Sequence, residues 1–162
     1  MGAAAIAATA ALALPAAAAA KTVTYGGGIF PEGKIALDVK LNKKNKPAKV
    51  VALRAAGMTA TCSVSQEEVT VWTNLRKLGI RVKNGGFKAT IVDPDFGNRS
   101  KLTGEFKKRG KRIDGGFTYS GHFPAGGGLP EEDCNSETQL YTAAKGGEDV
   151  DPGPPNEMTQ RR

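Results

Sequence analysis

The chain is short of several things. It holds one histidine in 162 residues, two cysteines, one tryptophan and only 6% aromatics. The cysteines, Cys62 and Cys134, form no Cys-x-x-Cys pair, so with a single histidine a zinc site lacks ligands. No P-loop, no Gly-x-Ser-x-Gly elbow and no His-Glu-x-x-His helix is present. These absences remove the common nucleotide, hydrolase and zinc-protease signatures, and no catalytic residue, metal ligand or cofactor is expected. After the first twenty residues no long apolar run occurs, so no transmembrane segment is expected in the mature chain.

Charge is absent from the first twenty residues, MGAAAIAATAALALPAAAAA. Ala18 and Ala20 make an A-x-A site before Lys21, and 1–20 reads as a secretory signal peptide. A secreted or envelope-associated protein is the expectation. In that setting two cysteines pair by default, so a Cys62–Cys134 disulfide is expected. No cysteine follows the cleavage site, which argues against a lipoprotein.

What is plentiful is glycine, with 21 residues, and positive charge, with 23 Lys/Arg against 16 Asp/Glu. Residues 21–145 hold 21 Lys/Arg and 12 Asp/Glu, whereas 146–162 are net acidic and rich in Pro and Gly. This divides the chain into a basic β-domain at 21–145 and an acidic tail at 146–162, expected to be disordered.

Period-two patterning dominates the domain. Ile35, Leu37, Val39 and Leu41 alternate with Lys34, Ala36, Asp38 and Lys40. Lys21–Phe30 is expected to open with a short strand that ends in three glycines, and further strands are expected from Ala48 to Cys62 with an irregular stretch at Arg54–Thr61, at Val69–Leu75, and at Ile80–Lys83 and Phe87–Val92 around Asn84-Gly85-Gly86. The sharpest pattern is Lys101–Gly121. A turn at Lys108–Lys111 places Phe106 opposite Ile113, Gly104 opposite Gly115 and Leu102 opposite Phe117, all on one face. The other face sets Lys107 against Arg112 and Glu105 against Asp114, with a diagonal Glu105–Arg112 contact to relieve like charges. His122–Asp133 reads as a long loop and Ser136–Ala144 as the last strand. About eight short strands joined by short turns predict an antiparallel meander closing as an up-and-down barrel, with a β-sandwich as the alternative.

Tyr25 with Gly27, Cys62, Gly85 with Phe87, Gly104 with Phe106, and Cys134 with Ser136 stand at spacings that resemble a group of uncharacterised small secreted β-domain proteins of high-GC Gram-positive bacteria. The resemblance spans about Tyr25 to Ala144 and departs at Tyr141, where such proteins often carry Trp. It implies a β-fold and secretion, and implies no activity.

The candidate site is the basic turn: Lys107, Lys108, Arg109, Lys111 and Arg112. Such a cluster suits an acidic polysaccharide or another envelope polyanion, without specific nucleic-acid recognition. A second lysine-rich turn, Lys43–Lys49, adds to it if both lie at one end. Asp93–Asn98 reads as an Asx-stabilised turn, Glu131–Asp133 as a solvated acidic loop, His122 as a loop histidine and Trp72 as packed against the sheet. The expected function is non-enzymatic binding, with a small-ligand carrier as the alternative and a hydrolase less favoured.

Overall fold

Alternation decides the architecture. The computed structural model is all-β apart from one 3-10 turn, and it describes residues 20–92, 97–125 and 130–151. Apart from Ala20, the expected leader lies outside the described residues. The ten strands are β1 (Thr22–Phe30), β2 (Lys34–Leu41), β3 (Pro47–Cys62), β4 (Glu68–Leu75), β5 (Ile80–Arg81), β6 (Gly86–Val92), β7 (Arg99–Lys107), β8 (Arg112–Phe123), β9 (Glu132–Asn135) and β10 (Gln139–Lys145). They form one antiparallel sheet. Chain neighbours pair from β1 to β4 and again from β6 to β9. β10 then joins β1 to β8, and β9 joins β8 to β3. The result is a barrel-like ring of hydrogen bonds, β1–β2–β3–β9–β8–β10.

The central hairpin has the expected register: Leu102 opposes Phe117, Gly104 opposes Gly115 and Phe106 opposes Ile113. Its like charges are relieved by another route. Glu105 pairs with Lys107 on its own strand at 2.6 Å, and Asp114 pairs with Arg112 at 2.5 Å. Along-strand neighbours two residues apart share a face, so these pairs need no diagonal reach.

Three stretches differ from the expectation. β3 runs unbroken through Arg54–Thr61, and a register shift against β4 between Ala55 and Met58 absorbs the irregularity. Gly57, at φ +74, supplies the left-handed residue there. The expected loop His122–Asp133 contains the end of β8 and the start of β9, because Glu132 and Cys134 alternate inward between Glu131, Asp133 and Asn135. The expected tail is docked at its start. Gly146 donates to the Thr24 carbonyl at 2.8 Å, Asp149 accepts from Arg54 at 2.8 Å and Val150 is buried. Residues 152–162 lie outside the described residues.

Arg54 explains why that segment turns back. It stands on the outer face and donates twice to Asp38, at 2.9 and 2.8 Å, as well as to Asp149. Asp38 also accepts from the Thr24 hydroxyl at 2.8 Å. The Arg54 hydrogen bonds hold the Asp38 carboxyl below the usual carboxylate range, and Asp38 in turn raises Arg54.

Within the core, side-chain sizes are complementary from strand to strand. One inward row reads Phe87, Gly104, Gly115, Tyr141, Ile29 across β6, β7, β8, β10 and β1. The paired glycines make room for the two rings beside them. A Cβ on Gly104 would overlap the Phe87 ring, and one on Gly115 would overlap the Thr103 carbonyl and the Tyr141 ring. Tyr25, Ile35, Leu37, Leu53, Leu102 and Phe117 fill the adjacent space with no exposure. Cys62 and Cys134 are register partners in β3 and β9 and form the expected disulfide.

This packing sets three stability expectations. Gly115→Ala should lower unfolding free energy by roughly 3 kcal/mol, since a backbone carbonyl cannot yield cheaply. Gly79→Ala, with nothing within 4 Å of its Cβ position, should stay within about 0.5 kcal/mol. Equilibrium urea denaturation of both variants checks the contrast. Reduction of the disulfide, which spans 72 residues, should cost about 4 kcal/mol in the same assay, by the chain-entropy argument.

Candidate functional site

The β7–β8 turn is short and sharply wound. Lys108–Gly110 form a 3-10 turn in which Lys108 and Arg109 have φ of +48 and +56, and Gly110 has φ +80. Glycine adopts that last conformation without steric penalty. The turn is held from below. The Tyr25 hydroxyl donates to the Gly110 carbonyl at 2.6 Å, and Lys145 N–H donates to the Lys111 carbonyl at 2.9 Å. The Tyr25 ring meets Phe106 edge-on at 5.6 Å, and Phe106 meets Phe87 at 5.9 Å. Burial raises the Tyr25 hydroxyl above the ordinary phenol value, so it stays a donor. The tip is therefore an ordered platform.

Of the five cations expected here, the structure divides two from three. Lys107 and Arg112 are half-buried and neutralised by Glu105 and Asp114. Lys108, Arg109 and Lys111 are exposed and have no ion pair among the described residues.

The second lysine-rich turn lies beside the first. A Cβ on Gly110 would sit 3.5 Å from the Pro47 ring, which places the β2–β3 turn against the β7–β8 tip. That turn is also ordered, with Asn42 Oδ1 accepting from the Lys44 and Lys46 N–H groups at 2.9 and 3.0 Å. It presents Lys43, Lys44 and Lys46 to solvent. Next to it, Lys40, Lys49 and Arg81 are direct cross-strand partners on β2, β3 and β5. All three are exposed, and none has an ion pair among the described residues. Like charges directly opposite one another are destabilising, so this row opposes folding. Sequence reading missed Lys40, Lys49 and Arg81 as one group, since they lie on three strands; only the register reveals it.

The opposite end is acidic. Glu67, Glu68, Glu131, Asp133 and Glu137 are exposed around the β3–β4, β8–β9 and β9–β10 connections. The Glu131–Asp133 run is not uniformly solvated. Glu132 is buried and accepts from Val64 N–H at 3.1 Å, Ser65 N–H at 2.9 Å and the Ser65 hydroxyl at 3.0 Å. It lies near Cys62 and Cys134, but those sulfurs are bonded to each other and offer no thiolate.

His122 has a setting that its loop assignment hid. Its Nδ1 lies 2.9 Å from Asp133 Oδ1 and its Nε2 lies 3.3 Å from Glu131 Oε1. The available signal was the Glu131/Asp133 spacing, with Asp133 the register partner of His122 and Glu131 just before β9. Trp72 is half-buried on β4. In the Asp93–Asn98 turn, residues 93–96 lie outside the described residues, and Asn98 Oδ1 accepts from His122 N–H at 3.1 Å.

No protein-family model matches the chain, and no curated protein matches it significantly.

The Asp133 hydrogen bond, aided by Glu131, raises the His122 pKa. A raised folded-state pKa means the imidazolium clamp stabilises fully below the unfolded-state value. It is lost as pH rises through the folded-state value. An NMR titration should place the His122 midpoint above that of free histidine, and Asp133→Asn should bring it down. An unchanged midpoint in that variant would contradict the clamp.

Proposed function

We propose that the protein is an extracellular, non-catalytic β-domain that holds an anionic envelope polymer, such as an acidic polysaccharide, across its basic end. The observation that carries this reading is the gathering of cations from three distant segments at one end of the sheet. The tip supplies Lys108, Arg109 and Lys111, the β2–β3 turn supplies Lys43, Lys44 and Lys46, and the strand row supplies Lys40, Lys49 and Arg81. A row of like charges that opposes folding has a physical use if a polyanion neutralises it. Binding would release condensed counterions and would weaken steeply with salt, as for other linear polyanions.

The disulfide fits an oxidising compartment, and the uncharged stretch at 1–20 supports export. Among the described residues no helix is long and apolar enough to cross a membrane. The resemblance to small secreted β-domains belongs to the same proposal. A carrier finds less support, because Tyr25, Phe117, Tyr119 and Leu102 occupy the interior. A histidine-dependent hydrolase finds less as well, because both ring nitrogens of His122 face carboxylates.

The experiment is sedimentation of the purified protein with washed cell envelopes across a salt series. Binding should fall steeply with salt, and a Lys108→Glu, Arg109→Glu, Lys111→Glu triple variant should bind at least about tenfold more weakly at low salt. Equal binding by that variant, or no binding by the parent at low salt, would overturn the proposal.

A further inference from the structure

The end away from the basic tip carries a feature that charge does not explain. Phe30 at the end of β1 and Leu140 on β10 are direct cross-strand partners. They are 74% and 63% exposed, whereas most large apolar side chains of the strands are buried. The pair forms a ridge between two open clefts, of about 640 Å³ and about 340 Å³. Both volumes fall in the range of small-molecule sites.

The larger cleft has a particular chemistry. Its walls carry the hydroxyl or amide groups of Thr59, Thr61, Asn135, Thr138 and Gln139, and Glu137 is its one ionisable group. Gln139 is nine-tenths buried. Its Nε2 donates to the Thr59 carbonyl at 2.9 Å, while its Oε1 has no hydrogen-bond partner among the described residues. That oxygen is shut off from solvent, so the polar side chains open to the cleft are those of Thr59, Thr61, Asn135 and Thr138, none of which is buried.

These features select one ligand class. An anion would meet no cation here. A metal ion would find one carboxylate. An alkyl chain would leave the hydroxyls and amides unpaired. A sugar ring has an apolar C–H face for the exposed phenyl ring and hydroxyls for the Thr and Asn groups. We propose that this cleft binds a neutral pyranose unit of a polysaccharide, stacked on Phe30 with its hydroxyls toward Thr59, Thr61 and Asn135. The site is independent of the basic end. β1, nine residues long, separates Phe30 from Thr22 by about 26 Å at strand rise. One domain would then contact a charged polymer at one end and a neutral glycan at the other.

The test is two-dimensional amide NMR of the purified, oxidised protein titrated with neutral hexasaccharides of glucose, mannose, galactose and N-acetylglucosamine, at low and high salt. Shifts at Phe30, Thr59, Thr61, Asn135 and Gln139 with at least one of them, insensitive to salt, are expected. Phe30→Ala should weaken that binding about tenfold, while Phe30→Trp should retain it. The charge-reversed triple variant should bind the hexasaccharide as the parent does, which separates this site from the polyanion reading. No shifts with any of the sugars, or shifts that Phe30→Ala leaves unchanged, would overturn the proposal. So would a concentration-dependent dimer in sedimentation velocity that Phe30→Ala disperses, because a second copy would then cover the ridge.

Discussion

The fold depends on β10 lying between β1 and β8, and β10 lies there because glycines leave it room. Gly104 and Gly115 face the Tyr141 ring, and Gly27 lets the Thr142 carbonyl approach β1 more closely than any side chain would permit. Tyr141 uses that space fully. Its hydroxyl donates to the Thr103 carbonyl at 2.8 Å, and burial raises its pKa, so the donor stays protonated. Adding one methyl group at Gly115 would set Tyr141 and the Thr103 carbonyl in conflict, and with them the strand that closes the ring. The next layer repeats the device at the tip, where Tyr25 donates to Gly110 and meets Phe106 edge-on.

A closed and tightly packed frame can carry charge that a looser one would shed. The Lys40–Lys49–Arg81 row is held by backbone register, so its repulsion cannot be relieved by strand slippage without turning inward residues outward. The acids nearest to it already have partners, and the rest are distant. Glu105 and Asp114 are committed to Lys107 and Arg112, Asp38 and Asp149 to Arg54, and the exposed acids of 131–137 lie near the far end of β8. At physiological salt the screening length is about 8 Å, so charges at one end barely feel the other. The molecule therefore presents two chemically distinct ends on one sheet.

What was legible beforehand was local. Period-two alternation located β2 and the β7–β8 hairpin with its register, because each pairing partner lies within about twenty residues and each inward set is apolar. The Arg54–Thr61 bulge and the β9 strand were harder, since Gly57 and the Gly/Pro stretch before Glu131 break the pattern. Closure by β10 was not written in any single segment. It rests on small residues at Gly27, Gly104 and Gly115, which look alike whether they serve turns or contacts. The candidate site was half legible for the same reason. The run at 107–112 stands out as charge, but its reduction to Lys108, Arg109 and Lys111, and its union with Pro47 and the β2–β3 turn, are consequences of long-range packing. His122 and Asp133 met only because β8 and β9 pair.

The most direct measurement is an amide NMR titration with a carboxylated oligosaccharide such as an oligogalacturonate, following all three basic segments at once. If they form one surface, resonances of Lys43–Lys46, of Lys49 and Arg81, and of Lys108–Lys111 should shift together with a single apparent affinity. Shifts confined to one turn, or spread equally to the acidic end around Glu131 and Asp133, would contradict a single basic interface.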